Sequence, residues 1–386
     1  MNQVSPQFEA AQSMLEKMLQ KLLKKNGVQH VALGVESGNG EFKWVGAAGK
    51  ARHEGGEMTI QTPFMIASVT KLFIAAGIFI LVERKKIDLD KPAAKYLPGK
   101  YMDGLHILKG TDYSQKISIR HLLSHSSGIP DWLVDKPSGG KSMVDHIGIE
   151  EDREITILDL LDQVKNNLKP RFSPADFSKN KIKIRYSDTN FQLLIAILEH
   201  QCGKQIGEVF QEFFYQPLGL ENTFHPEGDE MEGRGGADFW VAKKPFKKPL
   251  LTASFRDLYS TSDDLLAFMK ALISGSLFQD PHTSELMRSS WNQFSFPLDS
   301  AALRLPSWPI QYGMGMMRWK LPRLYSPFSN IPAVVGHTGV TGSWLFYCSE
   351  YDLYLCGSVS QLFQAPLPFR WVPQVLNRPE IKNLSI

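Results

Sequence analysis

Three stretches of this 386-residue chain place a lysine three residues after a serine: Ser68-Val-Thr-Lys71, Ser138-Gly-Gly-Lys141 and Ser178-Lys-Asn-Lys181. A serine hydroxyl becomes a useful nucleophile only when a base takes its proton. A lysine can be that base if burial or nearby charge lowers its pKa. Ser138 lies among glycines and Ser178 in a lysine-rich polar stretch, so neither pair is rigidly held or desolvated. Ser68 opens an apolar helix, where residues three apart share a face, and Lys71 therefore sets its amine beside the hydroxyl. Phe64, Ile66, Ala67, Leu72 and Phe73 surround the pair and supply burial. The helix N-terminus adds backbone N–H groups and a positive dipole end, which favour the oxygen charge that develops in acyl transfer.

Alone, the pair also reads as a helix cap followed by a solvated first-turn lysine. Two further segments favour chemistry. Tyr186-Ser-Asp-Thr-Asn190 follows the strand-like Lys183 to Arg185 and precedes an apolar helix, so its tyrosine can face a cleft. Gly336-His-Thr-Gly-Val-Thr-Gly342 puts small residues on a predicted strand, where a substrate backbone can approach closely.

In that order, Ser68-x-x-Lys71, the Tyr186 turn and His337-Thr338-Gly339 resemble the three motifs of the serine β-lactamase and penicillin-binding-protein superfamily. His121-Leu-Leu-Ser-His-Ser-Ser-Gly-Ile-Pro130, Pro217-Leu-Gly-Leu220, Ser260-Thr-Ser-Asp-Asp264 and Tyr312-Gly-Met-Gly315 look like segments of its class C, D-alanyl-D-alanine carboxypeptidase and family VIII esterase-like branch. The resemblance covers roughly residues 30 to 375. It implies an acyl-enzyme on Ser68, with Lys71 and Tyr186 relaying the proton and water hydrolysing the ester. It also implies an oxyanion hole from the Ser68 and Val340 amides, and substrate-binding positions at Asp188, His337, Thr338 and Gly339. Of the aromatic residues Trp132, Tyr259, Trp308, Tyr312, Trp319 and Trp344, which otherwise fill the core, Tyr312 is the one expected to line the substrate pocket.

Two residues depart from that pattern. Asp188 stands where members with this tyrosine usually carry asparagine; an anion there holds Lys71 charged and repels a substrate carboxylate. His337 stands where many β-lactamases have lysine, and histidine is mostly neutral near pH 7 if unperturbed. The expected activity is hydrolysis of small esters or amides by a carboxylesterase or D-amino-acid peptidase or amidase, with at most weak β-lactamase action. The alternatives are a β-lactamase or D-alanyl-D-alanine carboxypeptidase, and, in another class, a non-catalytic acyl-ligand-binding or scaffold protein. Retention of serine, lysine and tyrosine together favours the enzyme.

These residues need a frame. A helix over the first 25 residues, an antiparallel hairpin from His30 to Ala48 and a helix from Ser68 to Arg84 come first. Helices are predicted at Ile119 to Leu123, Ile157 to Lys165, Asn190 to Gln201, Ile206 to Phe214, Ser262 to Ile273 and Pro368 to Leu376. Strands are predicted at Tyr312 to Arg318, Ala333 to His337, Gly342 to Cys348 and Tyr354 to Ser360. The fold expected is mixed α/β (α+β), β-lactamase-like: a central antiparallel sheet flanked by helices, plus an inserted all-helical region. One catalytic unit spans 1–386, with about 1–85 and 255–386 forming the sheet body and about 86–254 the helical insert. Loops around Asp131 to Ile149 and Pro226 to Pro249 border the cleft and set specificity.

Composition excludes other classes. At 43% hydrophobic residues the chain can build a large core, and a net charge of +3 gives no field for nucleic acid. The run Lys243 to Lys248 reads as a solvated loop. His121 and His125, four apart, lack the glutamate of a metalloprotease helix, so no metal is expected, and no cofactor. There is no Gly-x-Ser-x-Gly elbow and no phosphate loop. The apolar run Leu72 to Val82 is too short to span a bilayer. Cys202, Cys348 and Cys356 have no metal spacing and, with no signal-peptide pattern at the N-terminus, suggest a cytoplasmic protein acting on a small acyl substrate. Oligomeric state is left open.

Overall fold

The computed structural model describes residues 5–147, 151–226, 235–297, 304–322 and 330–385. Among them, nine strands form one sheet: β1 (His30–Ser37), β2 (Lys43–Arg52), β3 (Gly55–Glu57), β4 (Asn292–Gln293), β5 (Gln311–Tyr312), β6 (Met317–Trp319), β7 (Val334–Thr338), β8 (Trp344–Cys348) and β9 (Leu353–Ser358). Their order is β4-β5-β6-β7-β8-β9-β1-β2-β3, antiparallel throughout. The sheet joins distant segments, as expected: β1 lies against β9, with Ala32 opposite Ser358 and Ser37 opposite Leu353.

Helices cover both faces, which is why all eight β1 residues are buried. On one face lie α1 (Pro6–Leu23), whose buried residues Ala11, Met14, Leu15, Met18, Leu19 and Leu22 follow helical spacing, and the C-terminal Pro368–Leu376 helix. On the other lie α2 (Thr70–Glu83) and the Ser262–Ser274 helix. Every residue of α2 from Thr70 to Leu81 is buried, because α2 sits between the sheet and the helices of the middle of the chain. Two of those matter below: α3 (Ile119–Leu123) and α4 (Asp188–Cys202), which packs along α2 and ends at Gly203 in the left-handed region. No helix among the described residues is long and apolar enough to cross a membrane.

Some elements differ from expectation. The single strand expected from Tyr312 to Arg318 is two short strands around a turn. There Gly315, at φ +84°, abuts Ala75 of α2 so closely that a Cβ has no room. Lys183 to Arg185 forms no strand; the Arg185 amide donates to the His125 carbonyl instead. The helix expected to Phe214 is α-helical to Phe210 and then widens into a π-type turn over Gln211–Tyr215. The anticipated cleft loops fall partly outside the described residues, at 148–149 and 227–234.

Candidate active site

Ser68 stands in a one-turn 3-10 helix, Ala67–Val69, that leads directly into α2. Ala67 has φ +47°, a strained value for a residue with a Cβ, and the sharp turn it makes is held on two sides. On one side, Phe64 and Met65 pair with Tyr259 and Ser260, and the Leu258 amide donates to Thr70 Oγ1. On the other, Ser343 Oγ donates to the Ile66 carbonyl and Thr341 Oγ1 to the Met65 carbonyl. The loop between β7 and β8 is thus fastened to the serine's own turn.

Helical spacing brings Lys71 back over Ser68, where its Nζ donates to Ser68 Oγ at 3.0 Å. The Tyr186 hydroxyl donates to the same Oγ, also at 3.0 Å, from the residue two before α4. Asp188, the first residue of α4, places Oδ1 2.5 Å from Lys71 Nζ. Burial pulls the Lys71 ammonium down, but the Asp188 and Asp257 carboxylates outweigh it and hold its pKa above the ordinary lysine value. The apolar flank expected to lower that pKa is present and buried; charge overrides it. Burial, and then the Asp188 charge, raise the Tyr186 phenol well above its usual value, so it is a neutral hydrogen-bonding group.

A buried polar frame sets the geometry of α4. Asp131 accepts from the amides of Leu133, Val134 and Asp188, the last at 2.7 Å, and so satisfies the first turn of α4 from outside. Burial, with Asp188 and Asp135 nearby, pushes Asp131 up to about 7. Asp135 is held by Arg171 and Arg185, which keep its pKa low despite burial. His125 Nδ1 accepts from the Ser187 amide and Asn190 Nδ2, both at 3.2 Å, and its ring packs 4.3 Å from that of Tyr186. Burial and the Lys71 charge keep it neutral.

Around Ser68 opens a cleft of about 1150 Å³, counting its space open to solvent. Lys71, Tyr186, Asp188, Thr338 and Val340 share its wall with Ser68. The other three expected substrate-binding residues lie behind that wall. His337 and Tyr312 are fully buried: the His337 Nδ1–H donates to the Thr338 carbonyl at 2.8 Å, so Nε2 accepts from the Tyr312 hydroxyl at 3.1 Å. Burial and the Lys71 charge drive His337 down to about 3, so it carries no positive charge for a carboxylate. Gly339 is buried against Ile66 and Ala67. The amides of Ser68 and Val340 have no hydrogen-bond partner among the described residues.

Asp257 is the acidic residue that sequence reasoning missed. It lies on the cleft wall, hydrogen-bonded to the Thr70 side chain, and burial pushes it up to about 7 against the pull of Lys71. No motif contains it; only the pairing of Tyr259 with Met65 brings it to Lys71. His121, weighed as a metal ligand, instead accepts from the Ser118 amide and donates to the Ala175 carbonyl. No group of three or more His, Cys, Asp or Glu among the described residues is placed to hold a metal.

A family model described as Beta-lactamase matches residues 15–366. The chain belongs to the beta-lactamase family. Among the curated relatives of this family member, Esterase EstB of Burkholderia gladioli is 26% identical over 62% of the chain and 65% of its own length. The D-alanyl-D-alanine-carboxypeptidase/endopeptidase AmpH of Escherichia coli (strain K12) is 21% identical over 78% of the chain and 71% of its own length. The chain thus spans a little under two thirds of EstB. Among solved structures, the D-amino acid amidase from Ochrobactrum anthropi SV3 superimposes with a TM-score of 0.72 at 22% identity, covering 98% of this chain and 99% of that one. EstCE1, a hydrolase with promiscuous acyltransferase activity, gives 0.72 at 20% identity, with the same coverage. This beta-lactamase-family chain therefore has the mixed sheet-and-helix fold of those hydrolases.

Proposed function

We propose that this beta-lactamase-family protein is a serine hydrolase that cleaves small esters or amides through an acyl-enzyme on Ser68. The observation that carries the reading is the double contact of Ser68 Oγ, 3.0 Å from both Lys71 Nζ and Tyr186 OH, at the wall of a cleft. Ser68 Oγ bonds to the acyl carbon as the bond to the leaving alcohol or amine breaks, and the serine proton ends on the leaving group. Water then adds hydroxyl to the acyl carbon and returns a proton to Ser68.

Lys71 cannot take that proton while charged. Its ion pair with Asp188 gives a route: substrate expels water from the cleft, a dry site disfavours the ion pair, and the proton crosses the 2.5 Å to Asp188. The neutral amine accepts the serine proton and hands it to the Tyr186 oxygen as the Tyr186 hydroxyl gives its own proton to the leaving group, so both side chains end as they began. The Ser68 and Val340 amides receive the developing oxyanion. The cleft lies between the sheet body, about 1–85 and 255–386, and the insert of about 86–254.

Charge favours neutral substrates over β-lactams and D-alanyl-D-alanine peptides. Arg256 is paired with Glu199 and Arg304 with Asp145, His337 is neutral, and Asp188 and Asp257 are acids. The three free cysteines support a reducing, cytoplasmic compartment, which cell fractionation checks.

The test compares wild type with Ser68→Ala on p-nitrophenyl acetate and butyrate, and on a fluorescent penicillin read by intact mass. Ester turnover that vanishes in the variant, with slow or absent penicillin labelling, is the expected result. Equal turnover by both proteins removes Ser68 as the nucleophile.

A further inference from the structure

The catalytic faces of α2 and α4 do not stop at the catalytic groups. Ser68, Lys71 and Ile74 follow one another at three-residue spacing, and Asp188, Phe191, Gln192 and Ile195 at three- or four-residue spacing; all seven line the cleft. Ile74, Phe191 and Ile195 are only 2%, 2% and 1% exposed, so here the cleft enters the core between the two helices instead of running over the surface. Trp132 and Phe255, with ring centres 6.1 Å apart, add to the same wall. The polar group among them, Gln192, is engaged, its Nε2 donating to the Phe255 carbonyl at 2.9 Å. The cation beside Phe255, Arg256, is neutralised by Glu199, one turn beyond Ile195 on α4.

We propose that this inner end is an acyl-chain subsite, and that the substrates are esters or amides of uncharged, unbranched carboxylic acids of medium length, with the chain laid between α2 and α4. The proposal rests on the reading of Ser68 as nucleophile. Six residues of helix from Ser68 to Ile74 span about 9 Å. A fully extended chain advances about 1.2 Å per bond, so roughly seven or eight carbons fill that depth. An acetyl group reaches little of this wall, whereas each methylene drawn from water into an apolar wall strengthens binding by up to about fourfold.

The experiment is a chain-length series on the intact protein: p-nitrophenyl acetate, butyrate, octanoate and laurate. For wild type, kcat/KM is expected to climb from acetate to octanoate and to stop rising at laurate. Ile195→Phe and Ile74→Phe, which fill the inner end, are expected to lower the octanoate-to-acetate ratio by about tenfold or more. Because both positions are core positions, a second measurement uses wild type alone: octylboronic acid should inhibit acetate hydrolysis at a concentration at least about a hundredfold below that of methylboronic acid. A flat or falling profile, or equal inhibition by the two boronic acids, while acetate turnover still depends on Ser68, overturns the subsite and leaves the nucleophile standing. Acetate turnover that survives Ser68→Ala overturns both.

Discussion

Lys71 Nζ lies 2.5 Å from Asp188 Oδ1, closer than it lies to the Ser68 hydroxyl, at 3.0 Å. The ion pair therefore decides how much neutral lysine exists at a given pH. Asp188→Asn removes the larger of the two charges that hold Lys71 protonated, and burial then draws its pKa down. The ascending limb of kcat/KM against pH, measured with p-nitrophenyl butyrate, should move acidward by about one unit or more. A limb that stays in place would show that Asp188 does not control the base.

Tyr186 tests the other contact on Ser68. Its ring is packed against His125 and lies 6.2 Å from Tyr312, and those packings survive in Tyr186→Phe while the hydroxyl is lost. Turnover should fall by about 10²- to 10⁴-fold, the usual scale for losing a proton-transfer group. The melting temperature should hardly change. A variant with near-wild-type turnover would leave the leaving-group proton to solvent.

The buried pair of Tyr312 and His337 makes a stability prediction. Tyr312→Phe leaves His337 Nε2 without its donor inside the core, which should cost about 1–3 kcal/mol in urea unfolding. Because His337 is held at about 3, its protonation belongs to the unfolded chain. Its contribution to stability is complete above the ordinary histidine value and is lost as pH falls from there toward about 3. A pH–rate profile of wild type should accordingly show no step near 6.5 that His337→Gln abolishes.

The contact of Lys71 with Ser68 was legible in the sequence because the two are three apart on a helix, where local periodicity alone fixes it; Tyr186 was singled out because it sits just ahead of a second apolar helix. The strands around β1 and β7 to β9 were legible for the same reason: alternation and β-branched content act locally. His337 was read as a cleft residue from its motif and Tyr312 as an aromatic able to line a pocket; both proved buried, because a strand pattern shows alternate sides without showing which side the helices cover. Asp257 was invisible because its approach to Lys71 depends on the pairing of Tyr259 with Met65, nearly two hundred positions apart. For Lys71 the sequence pointed both ways, to burial by its neighbours and to an Asp188 anion that holds it charged; the charge prevails, helped by Asp257, the second carboxylate that no local pattern shows.

Asp257 also has a pH signature. Its folded pKa, about 7, lies above the ordinary aspartate value, so the native state binds the extra proton between roughly 4 and 7. Stability attributable to this group is greatest below that window and falls as pH rises through it. Asp257→Asn should therefore be more stable than wild type at pH 8, by about 1–2 kcal/mol after allowance for its partial exposure, with the gain disappearing near pH 4. Urea unfolding at the two pH values decides it; a gain of the same size at both would place the effect in packing instead of charge.

Gly339 joins the fold to the chemistry. A Cβ there would strike Ser343 Oγ and stand 2.6 Å from the Ile66 carbonyl oxygen and 2.9 Å from the Cβ of Ala67, the residue just before Ser68. Ser343 Oγ is itself bonded to the Ile66 carbonyl at 2.6 Å, so the methyl can be accommodated only by pushing β7 away from the Ser68 turn. That movement carries the Val340 amide away from the acyl oxygen it is proposed to bind. Gly339→Ala should thus lower kcat by about 10²-fold or more, the scale for losing one oxyanion donor, while KM for p-nitrophenyl butyrate changes little. A loss confined to KM would instead mean that the strand shapes the acyl site and that the oxyanion is bound elsewhere.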